Sequence, residues 1–271
     1  MELKGYKPRV YWEQRLSKDF SLQGVGCYPL GEAYNRWLYK RRSFKLFKEL
    51  ARFKLNWEQI KILEVAPGVG YYTNIFKNLG VKNLTGIDIA KVAVKNLQKK
   101  FPDYKFIQAD ISEIQLQENF YNLITVIDVI FHIVSDELFF KVLENLKKSL
   151  APAGIIVITD RFPPKDLNWA EHVRLRSFAT YQEVLNSAEF SRIEVKPLVY
   201  LMSEQVGNEH RLAGKRLKQF WNLISQFAPR NNFTANFIGG GLYALERVLD
   251  IINLKTSFAE KVLIAQKRSI K

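Results

Sequence analysis

Leu63-Glu64-Val65-Ala66-Pro67-Gly68-Val69-Gly70-Tyr71-Tyr72-Thr73 reads as a strand that breaks at a small-residue and glycine turn and restarts with helical spacing. Glycines remove the Cβ that would hold a ligand away from the backbone, and a helix N-terminus offers free N–H groups to an anion. Beyond this turn the pattern repeats. The short runs Ile62-Leu63-Glu64-Val65, Leu84-Thr85-Gly86-Ile87-Asp88, Tyr104-Lys105-Phe106-Ile107, Leu123-Ile124-Thr125-Val126-Ile127 and Gly154-Ile155-Ile156-Val157-Ile158-Thr159 alternate with helical stretches. That alternation predicts βαβ units and a parallel sheet. Two later runs, 191–200 and 261–266, bring the strand count to seven.

Helices are predicted over 90–100 and 136–150, the second capped by Ser135, with Leu138, Val142, Leu143 and Leu146 on its inward face. The expected fold class is therefore α/β, a doubly wound, seven-stranded, mostly parallel sheet. Residues 1–57 read as an N-terminal helical segment, 58–201 and 261–271 as the core, and 202–260 as a helical insertion forming a lid or substrate cap. Within the insertion, 211–228 and 242–252 have helical spacing, and Leu242, Leu245, Val248, Leu249 and Ile252 form a stripe assigned to core packing. Gly239-Gly240-Gly241 reads either as a hinge for the lid or as a close-packed helix start, the second being preferred.

The 271 residues carry 41 Lys and Arg against 27 Asp and Glu, a net charge of +14. The sign suits anionic partners, and Lys40-Arg41-Arg42 is the densest basic cluster near the N-terminus. One cysteine, Cys27, excludes an internal disulfide and a thiolate-built metal site. We expect a reducing, cytoplasmic setting. No apolar run approaches the roughly 20 residues of a membrane span.

Four acids close successive strands: Glu64, Asp88, Asp110 and Asp128. In a doubly wound sheet these ends converge on one crevice, and an ionised carboxylate offers two acceptor oxygens to a ribose. The dinucleotide fingerprint G-x-G-x-x-G/A fails at Thr73, and no G-x-x-x-x-G-K-[ST] occurs, so NAD and a phosphate-binding loop are disfavoured.

With these motifs the sequence resembles the class I S-adenosylmethionine-dependent methyltransferases of small-molecule type over roughly residues 61–160. The stretch 63–70 is similar to the family's first motif, with Ala66 where glycine is commoner. The resemblance implies a Rossmann-like methyltransferase fold with S-adenosyl-L-methionine as cofactor. It implies that the backbone of Ala66, Pro67, Gly68 and Gly70 meets the methionine part, with Glu64 supporting the loop. Asp88 and Ile89 would hold the ribose, Asp110 and Ile111 would face the adenine, and Asp128 would lie near the amino group or sulfonium. Tyr11-Trp12-Glu13-Gln14-Arg15 and the stretch from Tyr34 to Lys40 resemble elements that close over the cofactor.

Methyl transfer is an in-line displacement, so alignment and proton removal are what the protein supplies. His132, just past the fourth strand, is the best-placed base and the expected catalytic residue. His172, Arg174, Asp160 and Tyr34 are expected at the acceptor side. No histidine has metal-ligand spacing, so no metal is expected. The aromatic C-terminal part favours an apolar or aromatic organic acceptor, methylated at O or N, as in specialised metabolism and biosynthesis. The alternatives are an RNA or tRNA methyltransferase, and a non-catalytic nucleic-acid- or membrane-binding module. The absence of [DN]-P-P-[YF] after the fourth strand, where Asp128-Val129-Ile130-Phe131 stands, weighs against the first.

Overall fold

The computed structural model describes residues 5–186, 188–204, 206, 212–252 and 260–269. Three helices come first: α1 (Pro8–Lys18), α2 (Leu22–Val25) and α3 (Gly31–Leu50). The alternating part follows as β1 (Lys61–Val65), α4 (Tyr71–Asn78), β2 (Asn83–Asp88), α5 (Lys91–Lys100), β3 (Lys105–Gln108), β4 (Tyr121–Val126), α6 (Asp136–Ser149) and β5 (Leu150–Asp160). A hairpin of β6 (Leu167–Ala170) and β7 (Val173–Leu175), then α7 (Phe178–Gln182), leads to β8 (Phe190–Val199). Two helices, α8 (Leu212–Phe227) and α9 (Asn232–Ile251), precede the last strand, β9 (Glu260–Lys267).

The sheet has the order β3-β2-β1-β4-β5-β9-β8. Its first five strands are parallel, and β9 runs antiparallel to both β5 and β8. Residues 62–65 of β1 are buried, as expected of a strand covered by helices on both faces. The strand order reverses between β1 and β4, so the crevice opens beyond Val65 and Val126, which are register partners.

The expected strands and the two central helices form. Ser135 accepts the Leu138 N–H at 3.3 Å and caps α6. The inward face of α6 is nevertheless Phe139, Val142, Leu143 and Leu146, while Leu138 is exposed. Either neighbour continues the apolar spacing, and the larger ring wins the interior, packing edge-on to Tyr181 at 5.0 Å. The hairpin was not anticipated, because strands of four and three residues carry too little periodicity.

Three readings of the flanking segments change. Of the basic cluster only Lys40 is at the surface. Arg41 is fully buried between Glu246, 3.0 Å from its Nε, and Asp250, 2.5 Å from Nη1. Arg42 is buried too, held at 2.7 and 2.8 Å by both oxygens of Glu260. The glycine triplet lies in the middle of α9, where a Cβ on Gly239 would sit 2.7 Å from the Trp37 ring of α3. That close approach sets the phase of α9: Ala235, Gly239, Leu242 and Glu246 turn inward. The stripe assigned to the core therefore faces outward beyond Leu242, with Leu245, Val248 and Ile252 exposed.

Candidate active site

The turn after β1 is built on left-handed backbone. Ala66, Gly68 and Gly70 have φ of +50°, +57° and +75°. The Ala66 N–H donates to the Ile87 carbonyl at 2.7 Å and the Gly70 N–H to that of Pro67 at 2.9 Å, which closes the loop. A Cβ on Gly70 would meet Leu97 at 2.6 Å and Phe101 at 2.7 Å, so this glycine serves the packing of α4 against α5. Thr73, the residue that breaks the dinucleotide fingerprint, donates its hydroxyl to Glu64 at 2.7 Å.

Around this loop lies a cavity of about 640 Å³. Ala66, Pro67, Gly68, Asp88, Ile89, Asp110, Ile111 and Asp128 all border it, as does Glu64. Gly70 does not, consistent with its packing role. The four acids come together as the topology requires, each in a different setting. Asp88 accepts the Gly68 N–H at 3.0 Å on one oxygen and the Ala90 N–H at 2.9 Å on the other. No cation among the described residues pairs with it, and burial pushes its pKa up to about 6. Burial likewise raises Glu64 to about 7. Asp110 accepts both the N–H and the hydroxyl of Ser112, at 2.9 and 2.7 Å, through a single oxygen. Asp128, at φ +57°, accepts the Thr159 hydroxyl at 3.0 Å and faces Arg42 Nη1 at 2.9 Å. Burial raises its pKa, and the arginine opposes that rise.

The N-terminal segment supplies another part of the wall: Tyr6, Trp12 and Leu16, with Val25 and Tyr39 from α2 and α3. Arg15 ties this segment together by donating to the carbonyls of Gly24 at 2.5 Å and Gly26 at 2.9 Å. Glu13 joins it to the core by accepting the Val92 N–H at 3.2 Å. Tyr71 and Tyr72 complete the lining beside the turn. The Tyr72 hydroxyl is buried with no hydrogen-bond partner among the described residues.

His132 borders the cavity at the end of a 3-10 turn, Ile130–His132. Its Nδ1 lies 2.8 Å from the His172 carbonyl. A carbonyl only accepts, so Nδ1 carries the proton and Nε2 the free lone pair. Trp12 packs edge-on to the imidazole at 5.0 Å. Burial lowers its pKa to about 3, so the ring is neutral throughout the physiological range.

The acceptor-side expectations divide. Arg174 borders the cavity and is anchored by Asn168 at 2.9 Å and Asp136 at 2.5 Å. His172 stands behind His132, stacked on it at 5.5 Å and on Tyr11 at 5.0 Å, outside the lining. Asp160 and Tyr34 are core groups. Asp160 accepts the Tyr181 hydroxyl at 2.6 Å, and Tyr34 donates to the Met202 carbonyl at 3.1 Å. No described residue of 202–252 borders the cavity; α9 lies along α3 instead.

Tyr39 lies in the stretch expected to close over the cofactor; the site residues the sequence did not single out are Tyr6, Tyr71, Tyr72 and Arg42. Tyr71 and Tyr72 had a signal, since they follow the glycine turn directly. Arg42 had none, because its acid partners lie 86 and 218 positions away.

Residues 63–158 match the model of a methyltransferase domain family. The chain is also similar to solved structures. A SAM-dependent methyltransferase from Archaeoglobus fulgidus is 16% identical, over 83% of this chain and 94% of that one, with a TM-score of 0.51. Haemonchus contortus phosphoethanolamine N-methyltransferase 2, solved with phosphomonomethylethanolamine and S-adenosylhomocysteine, is 14% identical over 96% of this chain and 61% of that one, with a TM-score of 0.53. A Haloferax volcanii chain solved in the complex of a methyltransferase with its Trm112 activator is 13% identical over 78% and 83%, with a TM-score of 0.51. At these identities the structural likeness is one of fold, while the family match covers β1 through most of β5 and the acids at the strand ends. Residues 63–158 thus form a methyltransferase domain, set in a fold that the chain shares with the Archaeoglobus fulgidus methyltransferase.

Proposed function

We propose that this enzyme methylates an O or N atom of a small or medium, apolar or aromatic organic molecule in the cavity described above. The observation that carries the acceptor class is the aromatic part of the wall: Tyr6, Trp12 and His132 gather beside the acids under the chain's own N-terminal segment. The residues present fit S-adenosylmethionine. Carboxylates with unused lone pairs line the cavity, and the Tyr72 hydroxyl is an orphaned buried group there. When bound, the cofactor supplies an electrophilic methyl group on a sulfonium.

In this reading Asp88, with Ile89 beside it, takes the ribose hydroxyls. Asp110 and Ile111 face the adenine. The backbone of Ala66, Pro67 and Gly68 meets the methionine part, with Gly70 and Glu64 holding the loop in shape. Asp128, kept in place by Arg42 and Thr159, faces the ammonium. His132 receives the acceptor hydroxyl or amine at Nε2 and takes its proton as the new bond forms, and the carbonyl of His172 fixes the tautomer. Arg174 orients a polar end of the acceptor. Asp160 and Tyr34 have no part, since both are spent on the core.

An RNA or tRNA acceptor is less well supported, because Arg41 and Arg42 are buried in ion pairs and offer nothing to phosphate. The test is transfer of labelled methyl groups from S-adenosylmethionine into a cell extract separated into organic-soluble, nucleic-acid and protein pools. Label in the organic pool supports the reading. Nuclease-sensitive label overturns it in favour of RNA.

A further inference from the structure

Ten of the fifteen large apolar side chains exposed among the described residues belong to 212–252, the α8–α9 segment. On α9 they form one outward stripe. Phe233 and Phe237 are 79% and 75% exposed, and Leu245, Val248 and Ile252 continue the line. Gly241 lies between the two halves of the stripe with nothing within 4 Å of its missing Cβ. A helix of 20 residues spans about 30 Å, so this is an extended apolar edge and not a scattering of single side chains. The opposite side of α9 is fixed to α3 through Gly239 and Glu246, so the stripe has no route into the core. On α8, Phe220, Leu223 and Phe227 are exposed as well.

Up to Leu245 the charge of this segment has one sign. From 212 to 245 the sequence holds Lys215, Arg216, Lys218 and Arg230 and no acid. Lys215, Arg216 and Lys218 are exposed and form no ion pair with a described acid. A second copy of this chain, itself at net charge +14, would bring like charges together at the same apolar edge. An anionic lipid surface complements both features, because acyl chains take the aromatic and aliphatic groups while headgroups meet the cations.

We propose that α8 and α9 dock this enzyme on an anionic membrane surface, lying in the interface and not crossing it. This binding is separate from the cavity and does not depend on the acceptor's identity. The experiment is flotation of the full chain with vesicles of phosphatidylcholine and phosphatidylglycerol, against vesicles of phosphatidylcholine alone. Binding is expected only to the anionic vesicles. Replacing Phe233 and Phe237 together by Ser should weaken it about tenfold or more. Replacing Lys215, Arg216 and Lys218 together by Gln should weaken it about a hundredfold. In both variants cofactor affinity should stay unchanged, and Val10→Ser, a change at an exposed apolar residue on α1, should leave vesicle binding intact. No binding to anionic vesicles overturns the proposal, as does binding that survives both sets of replacements. Sedimentation showing a dimer that the Phe233→Ser, Phe237→Ser variant dissolves would assign the edge to a second copy and also overturn it.

Discussion

Buried acids occupy two regions of this molecule under opposite terms. In the crevice, Glu64 and Asp88 are held by a hydroxyl and backbone N–H groups, with no ion-pair partner among the described residues, and burial raises their pKa values. Along the seam between α3, α9 and β9, Glu246, Asp250 and Glu260 each meet an arginine. Glu246 also accepts the N–H groups of Tyr200, Leu201 and Met202, so one carboxylate fastens α9 to both α3 and the chain leaving β8. A carboxylate already matched by a guanidinium is finished as structure. One left with spare lone pairs at a cavity wall is kept at a cost that only a ligand offsets. Asp128 belongs to both regions, since it lines the cavity and is gripped by Arg42.

The largest expected effect breaks the seam. Arg42→Met leaves Asp128 and Glu260 buried without their cation, and should lower the unfolding free energy by about 3–5 kcal/mol in chemical denaturation. Asp88→Asn should act the other way round. Cofactor affinity is expected to fall about a hundredfold in calorimetric titration, while stability changes by no more than about 1 kcal/mol, the lost N–H bond being offset by removal of an unpaired buried charge. Equal destabilisation by the two variants would erase the distinction between the regions.

His132→Phe tests the chemistry within the crevice. It keeps the ring contact with Trp12 and removes Nε2, so turnover should fall about a hundredfold at unchanged cofactor affinity. In the unmodified enzyme no activity step should appear near pH 6.5, because burial holds this imidazole neutral down to about pH 3. A break in the profile near 6 is expected from Asp88 instead, with affinity for the cofactor rising as the carboxyl ionises.

Stability against pH separates the two sets of acids. Glu64, Asp88 and Asp160 move from ordinary values of 4.5, 3.8 and 3.8 to about 7, 6 and 6 on folding. The folded state then binds more protons between those limits, so their contribution is complete below about pH 4 and is lost as pH rises through 6 to 7. Asp250 and Glu260 are lowered: burial works against their charge and the arginines outweigh it, so their contribution is lost on acidification. His132, lowered from 6.5 to about 3, works in the opposite direction up to about pH 6.5, but the three acids outweigh it, so the melting temperature without cofactor should fall from pH 5 to pH 7.5. Glu64→Gln, which preserves an acceptor for the Thr73 hydroxyl, should flatten that fall. A melting temperature that rises from pH 5 to 7.5 would refute the raised values.

How legible these two regions were in the sequence follows from the distances involved. The crevice acids sit at the ends of consecutive strands, where a period of two and a short turn place them with no knowledge of the rest of the chain. The seam joins residues more than 200 positions apart, Arg41 to Glu246 and Arg42 to Glu260, and such pairs leave no local trace. The same holds for helix phase. Apolar residues occupy both sides of α9, so periodicity alone does not say which side is buried, and Trp37 against Gly239 decides it. On α6 the ambiguity between Leu138 and Phe139 was a single position, because amphipathic contrast there is otherwise strong.

The smallest effect falls on the residue where this chain departs from the motif it otherwise follows. Ala66 adopts φ +50°, a left-handed conformation that costs a Cβ-bearing residue about 1–2 kcal/mol relative to glycine. Its N–H is held by the Ile87 carbonyl, so the loop has no means to relax. Glycine removes that strain but adds freedom to the unfolded chain, worth about 0.4–1 kcal/mol in the opposite direction. Ala66→Gly should therefore stabilise the protein by no more than about 1 kcal/mol, with cofactor affinity unchanged. Ala66→Val should destabilise it by clearly more, since a β-branched side chain tolerates this φ least. Chemical denaturation of the three proteins, side by side, tests whether the backbone of this loop is strained as a crevice element or merely tolerated. If glycine destabilises, the methyl group of Ala66 packs better than the left-handed turn costs, and the loop is held in shape by contact and not by conformation.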